Sequence, residues 1–352
     1  MKLVWFISDH GYGHIMRNTP LILEALSRPG VELTVVSAES HLNVLRRYLR
    51  PGQAELIPFE KMDYGLEVIP GTLLIDVPRL EAGAAAYTAD FGRRAAWAEQ
   101  LLREGGFDRA VVDMPVWALL GAKAAGVPGT LITNFTWVEI YQEYLPAALV
   151  EPFREAYRTA DQVLYYELSN PLYRAMLPGG TDCGLTARPF DPGAVAAIRA
   201  AHRRPIVFCS IGFSNQGLAK PLQAGGLPFD FITTAELAIE GENVTRLGPV
   251  EDLQNYAAAA DYCIAKAGWG TVAEILLAGK PAALMGRDTV AEDRMTIQEL
   301  ERRRAAIKVQ VDQLEDLGGV MERLTAFASG PFAPQKYTNN APFIVDRVLA
   351  GH

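Results

Sequence analysis

Lys266-Ala267-Gly268-Trp269-Gly270-Thr271-Val272-Ala273-Glu274 is the stretch from which the fold can be read. The apolar run Tyr262-Cys263-Ile264-Ala265 leads into it as a strand, and the helix that opens at the glycines carries a carboxylate about one turn in. A helix N-terminus binds anions, because its first N–H groups lack intrahelical partners and the dipole is positive there. Gly268 and Gly270 remove Cβ atoms where phosphates would approach the chain. Glu274 suits two vicinal ribose hydroxyls, and Lys266 would add a point charge beside a diphosphate. The plainer reading is a glycine-rich turn with a surface lysine before it and an exposed glutamate after it. The stretch alone leaves both open.

Outward from this motif the chain repeats strand, loop and helix. Lys2 to Ser8, Val31 to Ser37, Arg109 to Asp113 and Gly129 to Thr133 read as strands; Thr19 to Arg28, His41 to Arg50 and Trp117 to Ala125 read as helices. The pattern restarts after residue 200, with strands at Pro205 to Ser210, Phe229 to Thr233, Val244 to Leu247 and Pro281 to Met285, and a helix at Leu253 to Ala258. Ser169 to Pro192 is rich in proline and glycine and lacks periodicity, as a linker does. Such alternation predicts two open α/β domains with parallel sheets, and ligands at the carboxyl ends of their strands. The expected division is an N-terminal domain over 1–175, a linker over 176–203, a second domain over 204–330 and a closing helical segment over 331–352.

Composition narrows the function. With 352 residues the chain exceeds one comfortable core, and 49% apolar and 21% charged residues are globular values. A net charge of −8 argues against general nucleic-acid binding, which needs many cations against phosphate. The clusters Arg46-Arg47-Tyr48-Leu49-Arg50 and Arg302-Arg303-Arg304 read as solvated helix faces. Cys183, Cys209 and Cys263 lack zinc spacing, and the latter two sit in apolar runs as buried thiols would. Met1 to Ser8 reads as a strand rather than a leader, and no apolar run reaches bilayer length. A cytoplasmic protein with no evident membrane association is the expectation.

Further loops carry possible chemistry. Asp9-His10-Gly11-Tyr12-Gly13-His14 follows the first strand; its glycines permit a tight turn, and His14 lands near a helix start as a candidate general base. Met16 occupies the place of the third glycine of a dinucleotide fingerprint, which weakens that reading. Asp113, at a strand end, either supports an imidazole or caps the next helix. Gly212-Phe213-Ser214 would offer phosphate N–H and hydroxyl donors, and Gly248-Pro249-Val250 a loop beside a flat base. Arg287, Asp288 and Asp293 either hold sugar hydroxyls or solvate a loop.

These motifs together resemble the GT-B-fold nucleotide-sugar glycosyltransferases. Asn243 to Ile307 is similar to the donor-binding half of the N-acetylglucosaminyltransferase that makes lipid II and of the UDP-glycosyltransferases. His10-Gly11-Tyr12-Gly13-His14 with Arg17 resembles their acceptor-side loop. Asp63-Tyr64-Gly65, Asn134-Phe135-Thr136-Trp137 and Ile140-Tyr141 resemble the glycosyltransferase-like region of plant arabinose kinases. The resemblance implies an α/β GT-B fold of two Rossmann-like domains facing across a cleft, with Ala341 to Leu349 a helix returning to the N-terminal domain. It implies His14 as base and Asp113 as its support, Glu274 on the ribose, Gly270, Thr271 and Lys266 on the diphosphate, and Gly248 to Val250 at the base. The usual Asp-Gln pair on the donor sugar is replaced by Asp293-Arg294. The function expected is inverting transfer from a UDP-linked donor to a hydroxyl or amine of a small-molecule or glycan acceptor, with no metal and no cofactor besides the nucleotide-sugar substrate. A 2-epimerase-like enzyme and a catalytically silent sugar-nucleotide binding module are the alternatives.

Overall fold

Leu3 to Ile7, Val35, Val36 and Ala110 to Val112 are completely buried. Runs apolar on both faces need cover on both, which a parallel sheet between helices supplies. The computed structural model describes residues 1–70, 72, 74–211, 220–234, 237–248 and 252–351. The chain forms two compact units, one of Met1–Glu67, Ile75–Thr186 and Asn339–His352, the other of Val68–Leu74 and Ala187–Thr338.

In the first unit the chain runs β1 (Lys2–Ile7), α1 (Gly13–Ser27), β2 (Glu32–Ser37), α2 (Glu39–Arg46), β3 (Glu55–Pro58), α3 (Val77–Ala89), α4 (Phe91–Gly105), β4 (Arg109–Asp113), α5 (Val116–Ala125) and β5 (Gly129–Thr133). It continues through α6 (Trp137–Tyr141), α7 (Ala147–Tyr157), β6 (Gln162–Tyr166), α8 (Pro171–Met176) and β7 (Thr181–Gly184). All seven strands are parallel, in the order β3-β2-β1-β4-β5-β6-β7. The order reverses between β1 and β4, which makes their carboxyl ends the crevice where open sheets take ligands. Ile7 pairs there with Asp113.

Several local expectations change. Helix α1 begins at Gly13, six residues before Thr19, because only Gly11 serves as the turn, with φ of +79°. Pro20 therefore lies inside the helix, and the Asn18 and Thr19 side chains donate to the carbonyls of His14 and Ile15 at 2.8 Å each. Helix α2 stops at Arg46, short of Arg50. The segment read as aperiodic linker contains α8 and β7. Asn170 caps α8 by accepting from the Leu172 N–H and Pro171 opens it, so what looked like punctuation is a helix start.

The second unit holds α9 (Pro192–Ala200), β8 (Ile206–Ser210), β9 (Leu222–Gln223), β10 (Asp230–Thr233), β11 (Ile239–Glu240), β12 (Val244–Arg246), α10 (Leu253–Ala259) and β13 (Tyr262–Lys266). It ends with α11 (Trp269–Ala278), β14 (Ala282–Met285), α12 (Ala291–Arg302), β15 (Ala306–Val309) and α13 (Leu317–Ser329). Its parallel sheet runs β12-β10-β8-β13-β14-β15 and reverses at β8 and β13, while β9 and β11 form a separate ribbon. Val207, Cys209 and Ile264 on one face of this sheet pack with Leu317, Met321 and Leu324 of α13. The last helix, α14 (Ala341–Ala350), belongs to the first unit and packs against α1. Asn340 Nδ2 donates to the Cys183 carbonyl at 3.1 Å, and Gln162 Nε2 to that of Arg347 at 3.0 Å.

Candidate active site

Each unit gathers polar groups at its own sheet reversal. In the first, α1 starts just beyond β1 and brings His14 to the end of β4. His14 is 6% exposed and Asp113 fully buried, and His14 Nδ1 stands 3.1 Å from Asp113 Oδ1. Asp113 caps no helix; Pro115 holds the cap position of α5 without a side-chain bond. The Asp113 carboxylate instead accepts from His14, from Arg17 Nε (2.7 Å) and Nη2, and from Asn18 Nδ2. That fills the sites a carboxylate offers.

Arg17 is the component that sequence reasoning quoted but gave no role. Besides Asp113 its guanidinium donates to Asn134 Oδ1 at 2.6 Å and to Thr133 Oγ1 at 3.1 Å. Nη2 also lies 2.9 Å from His14 Nδ1. In the tautomer that donates from Nδ1 to Asp113, the imidazole leaves its lone pair on Nε2. Burial lowers the His14 pKa and the Arg17 charge lowers it further, against the upward pull of Asp113. Burial alone would raise the Asp113 carboxyl, but Arg17 and His14 more than offset it and hold it well below the usual range. Met114, next along the chain, has φ of +85° and is buried, with the Tyr157 hydroxyl donating to its carbonyl at 3.1 Å. Strained backbone of this kind persists where the surroundings over-determine it.

The rest of the first loop is arranged around this group. His10 stands edge-on to Trp137 with ring centres 5.0 Å apart, and a Cβ on Gly65 would fall 2.3 Å from His10 Nδ1. Tyr12 is exposed and stacks on buried His41, whose Nε2 sits 3.0 Å from the Gly11 carbonyl oxygen. Above Gly11 and Gly13 the space is open. Asp63, behind the loop, is buried, and burial pushes its carboxyl up to about 8 against the opposing pull of Ser8 and Trp137.

In the second unit, Gly268 caps α11 without a side-chain bond, and Gly270 and Thr271 lie in the first turn. Lys266 ends β13, where burial lowers its pKa, Arg287 lowers it again, and Asp293 opposes them. Glu274 is partly buried rather than exposed, and its partner is Arg188, with Nη2 at 2.9 Å and Nε at 3.3 Å from the same oxygen, Oε1. Sequence reasoning missed Arg188, which lies in an irregular stretch before Pro189 with no local pattern to mark it. Of the residues read as sugar contacts, Arg287 and Asp293 bind each other through two side-chain bonds of 3.0 Å, and Asp293 also accepts from the Arg287 N–H at 2.9 Å. Asp288 stands apart from them, exposed and paired with Lys308 at 2.6 Å. Gly248 is exposed after β12, while Gly212, Phe213, Ser214, Pro249 and Val250 lie outside the described residues. Among the described residues no three His, Cys, Asp or Glu side chains group as a metal site, and no helix is long and apolar enough to cross a membrane.

Residues 230–347 match the model of the glycosyltransferase family 28 C-terminal domain. Solved structures align over almost the whole chain. The calicheamicin glycosyltransferase CalG4 superposes with a TM-score of 0.69 at 17% identity, covering 99% of this chain and 97% of that one. The fold is GT-B, that of the nucleotide-sugar glycosyltransferases. Arabidopsis thaliana UGT89C1, solved with UDP, gives 0.62 at 14% identity over 99% of this chain and 98% of its own. The glycosyltransferase SsfS6 of Streptomyces sp. SF2575, solved with thymidine diphosphate, gives 0.58 at 16% identity and 99% of both chains. Comparison with curated proteins finds no match. In this GT-B chain the strand-to-helix turn Lys266 to Glu274 falls inside the matched domain.

Proposed function

We propose that the chain is an inverting glycosyltransferase that uses a nucleotide-linked donor, UDP-linked in the first instance, and a hydroxyl or amine acceptor. The observation that carries the reading is His14: its Nδ1 is engaged by a saturated, ionised Asp113, and Nε2 has no hydrogen-bond partner among the described residues. In its neutral form with the proton on Nδ1, the imidazole is ready to take a proton at Nε2. Nε2 accepts the proton of the acceptor's O–H or N–H as that atom forms its bond to the anomeric carbon. The bond from that carbon to the phosphate oxygen breaks, and the nucleoside diphosphate leaves with the electron pair.

The departing charge meets the Lys266 ammonium and the N–H groups of the first turn of α11, which are in place before the charge develops. Glu274 Oε2 takes the ribose hydroxyls. Two solved structures of this fold hold UDP and thymidine diphosphate, which supports a diphosphate nucleoside while leaving either base as the probe.

The test is His14→Ala, assayed with nucleotide sugars against a panel of hydroxyl and amine acceptors. Transfer should fall by roughly 10²- to 10⁴-fold with UDP binding retained. Unchanged transfer removes His14 from the mechanism. A wild-type protein that binds a nucleotide sugar but never turns it over would instead be a binding module.

A further inference from the structure

A guanidinium facing a carboxylate ordinarily engages both oxygens in a fork. Arg188 does not: Nε and Nη2 converge on Oε1 of Glu274, and Oε2 has no partner among the described residues. Arg188 is itself buried, whereas the Glu274 side chain keeps 13% of its surface accessible, so the unused oxygen can be reached. The arm that carries Arg188 is fastened to α10, the helix that packs on α11. Gln254 Nε2 donates to the Pro189 carbonyl at 3.3 Å, Asn255 Oδ1 accepts from the Asp191 N–H at 2.8 Å, and both amides are buried.

We propose that Arg188 is a positioning residue for Glu274, locking one carboxylate oxygen so that the other is presented to the vicinal hydroxyls of a bound nucleotide's ribose. This rests on the reading of Glu274 under Proposed function and adds the residue that makes it work. A carboxylate this buried drifts toward its neutral form, in which it presents a donor as well as an acceptor. Burial does raise the Glu274 pKa, and Arg188 is the charge that opposes the rise. The elements packed on α11 bring Tyr256 on α10 and Tyr262 and Lys266 on β13, and among the described residues only Arg188 reaches the carboxylate.

Calorimetric titration with UDP and with pyrophosphate, which has no ribose, separates the possibilities from about pH 5.5 to 8.5. Four proteins are compared: wild type, Arg188→Met, Arg188→Lys and Glu274→Ala, each checked for folding by thermal melting. Arg188→Met should bind UDP about tenfold more weakly at neutral pH. The loss should shrink as pH rises, because Glu274 without its counter-charge ionises at higher pH. Pyrophosphate binding should be unchanged, and Arg188→Lys should recover most of the loss. Should Arg188→Met not fold, the neutral Arg188→Gln carries the same test.

A pH-independent, wild-type affinity in the neutral variant overturns the proposal. So does an equal loss for pyrophosphate, which would put Arg188 on the phosphates, or a lysine variant no better than methionine. Glu274→Ala marks which idea has failed. If it binds UDP like wild type, the ribose reading falls and this proposal with it; if it binds weakly while Arg188→Met behaves as wild type, only the positioning role falls.

Discussion

At the scale of single residues, one carboxylate organises the first unit's site. Asp113 faces Arg17, His14 and Asn18 at once, and its burial makes each partner necessary. Asp113→Asn leaves the Arg17 charge buried without its counter-ion, so chemical denaturation should show a loss of about 3–5 kcal/mol. The His14 pKa gives a signed expectation. A base must be deprotonated to act, and since its pKa lies below 6.5, activity should persist as the pH falls past that value and decline only below it. Arg17→Met removes one of the three influences that lower the pKa, the others being burial and His41, so the acid limb of kcat/KM should move upward. An acid limb that stays put would show that Arg17 does not set it. None of these pairings is legible locally, because Arg17 and Asp113 are 96 residues apart and Arg188 and Glu274 are 86 apart. The residue types at strand ends were readable and the resemblance paired His14 with Asp113, but Arg17 and Arg188 as partners of the two carboxylates were not readable.

At the scale of elements, the central strands of both sheets show in the sequence because they are largely apolar runs near turn residues, whereas β3, β6, β7, β9, β11 and β15 were not among the strands read. Helix starts were harder. Gly13 reads as turn and Pro20 as a first-turn proline, yet α1 contains both, since bonds from Asn18 and Thr19 to carbonyls hold that stretch. Residues between Arg50 and Arg109 gave no firm reading and contain α3 and α4. For α11 the N-cap glycine permits a direct trial. A Cβ on Gly268 would meet nothing within 4 Å, and its φ of −73° suits any residue. Gly268→Ala should therefore cost at most about 1 kcal/mol in thermal unfolding. If phosphate approaches that backbone, UDP affinity should fall by about tenfold or more. Gly65→Ala is the contrast: with φ of +82° and the His10 ring 2.3 Å from the new Cβ, it should lower the melting temperature and displace His10.

At the scale of the whole molecule, the two-unit reading and the parallel sheets came from the repeating strand–helix order. The discontinuous make-up of the first unit came only through the expected return of the last helix. Three thiols report on both units: Cys183, Cys209 and Cys263 are all buried, and burial pushes Cys183 and Cys263 up to about 12. None should react with a colorimetric disulfide reagent in the native protein, and all should after unfolding. Ending the chain after Thr338 removes α14 and uncovers the face of α1 that Ile344, Val345 and Val348 pack against. Labelling of Cys183, whose carbonyl Asn340 holds, should then accelerate while Cys209 and Cys263 in the second unit stay protected. Because residues 187–338 sit between two parts of the first unit, translation and folding run in opposite order. On the ribosome the second unit can fold once residue 338 has emerged. The first, begun earlier, lacks α14 through that whole interval, so the face of α1 that this helix covers stays open until the last residues emerge.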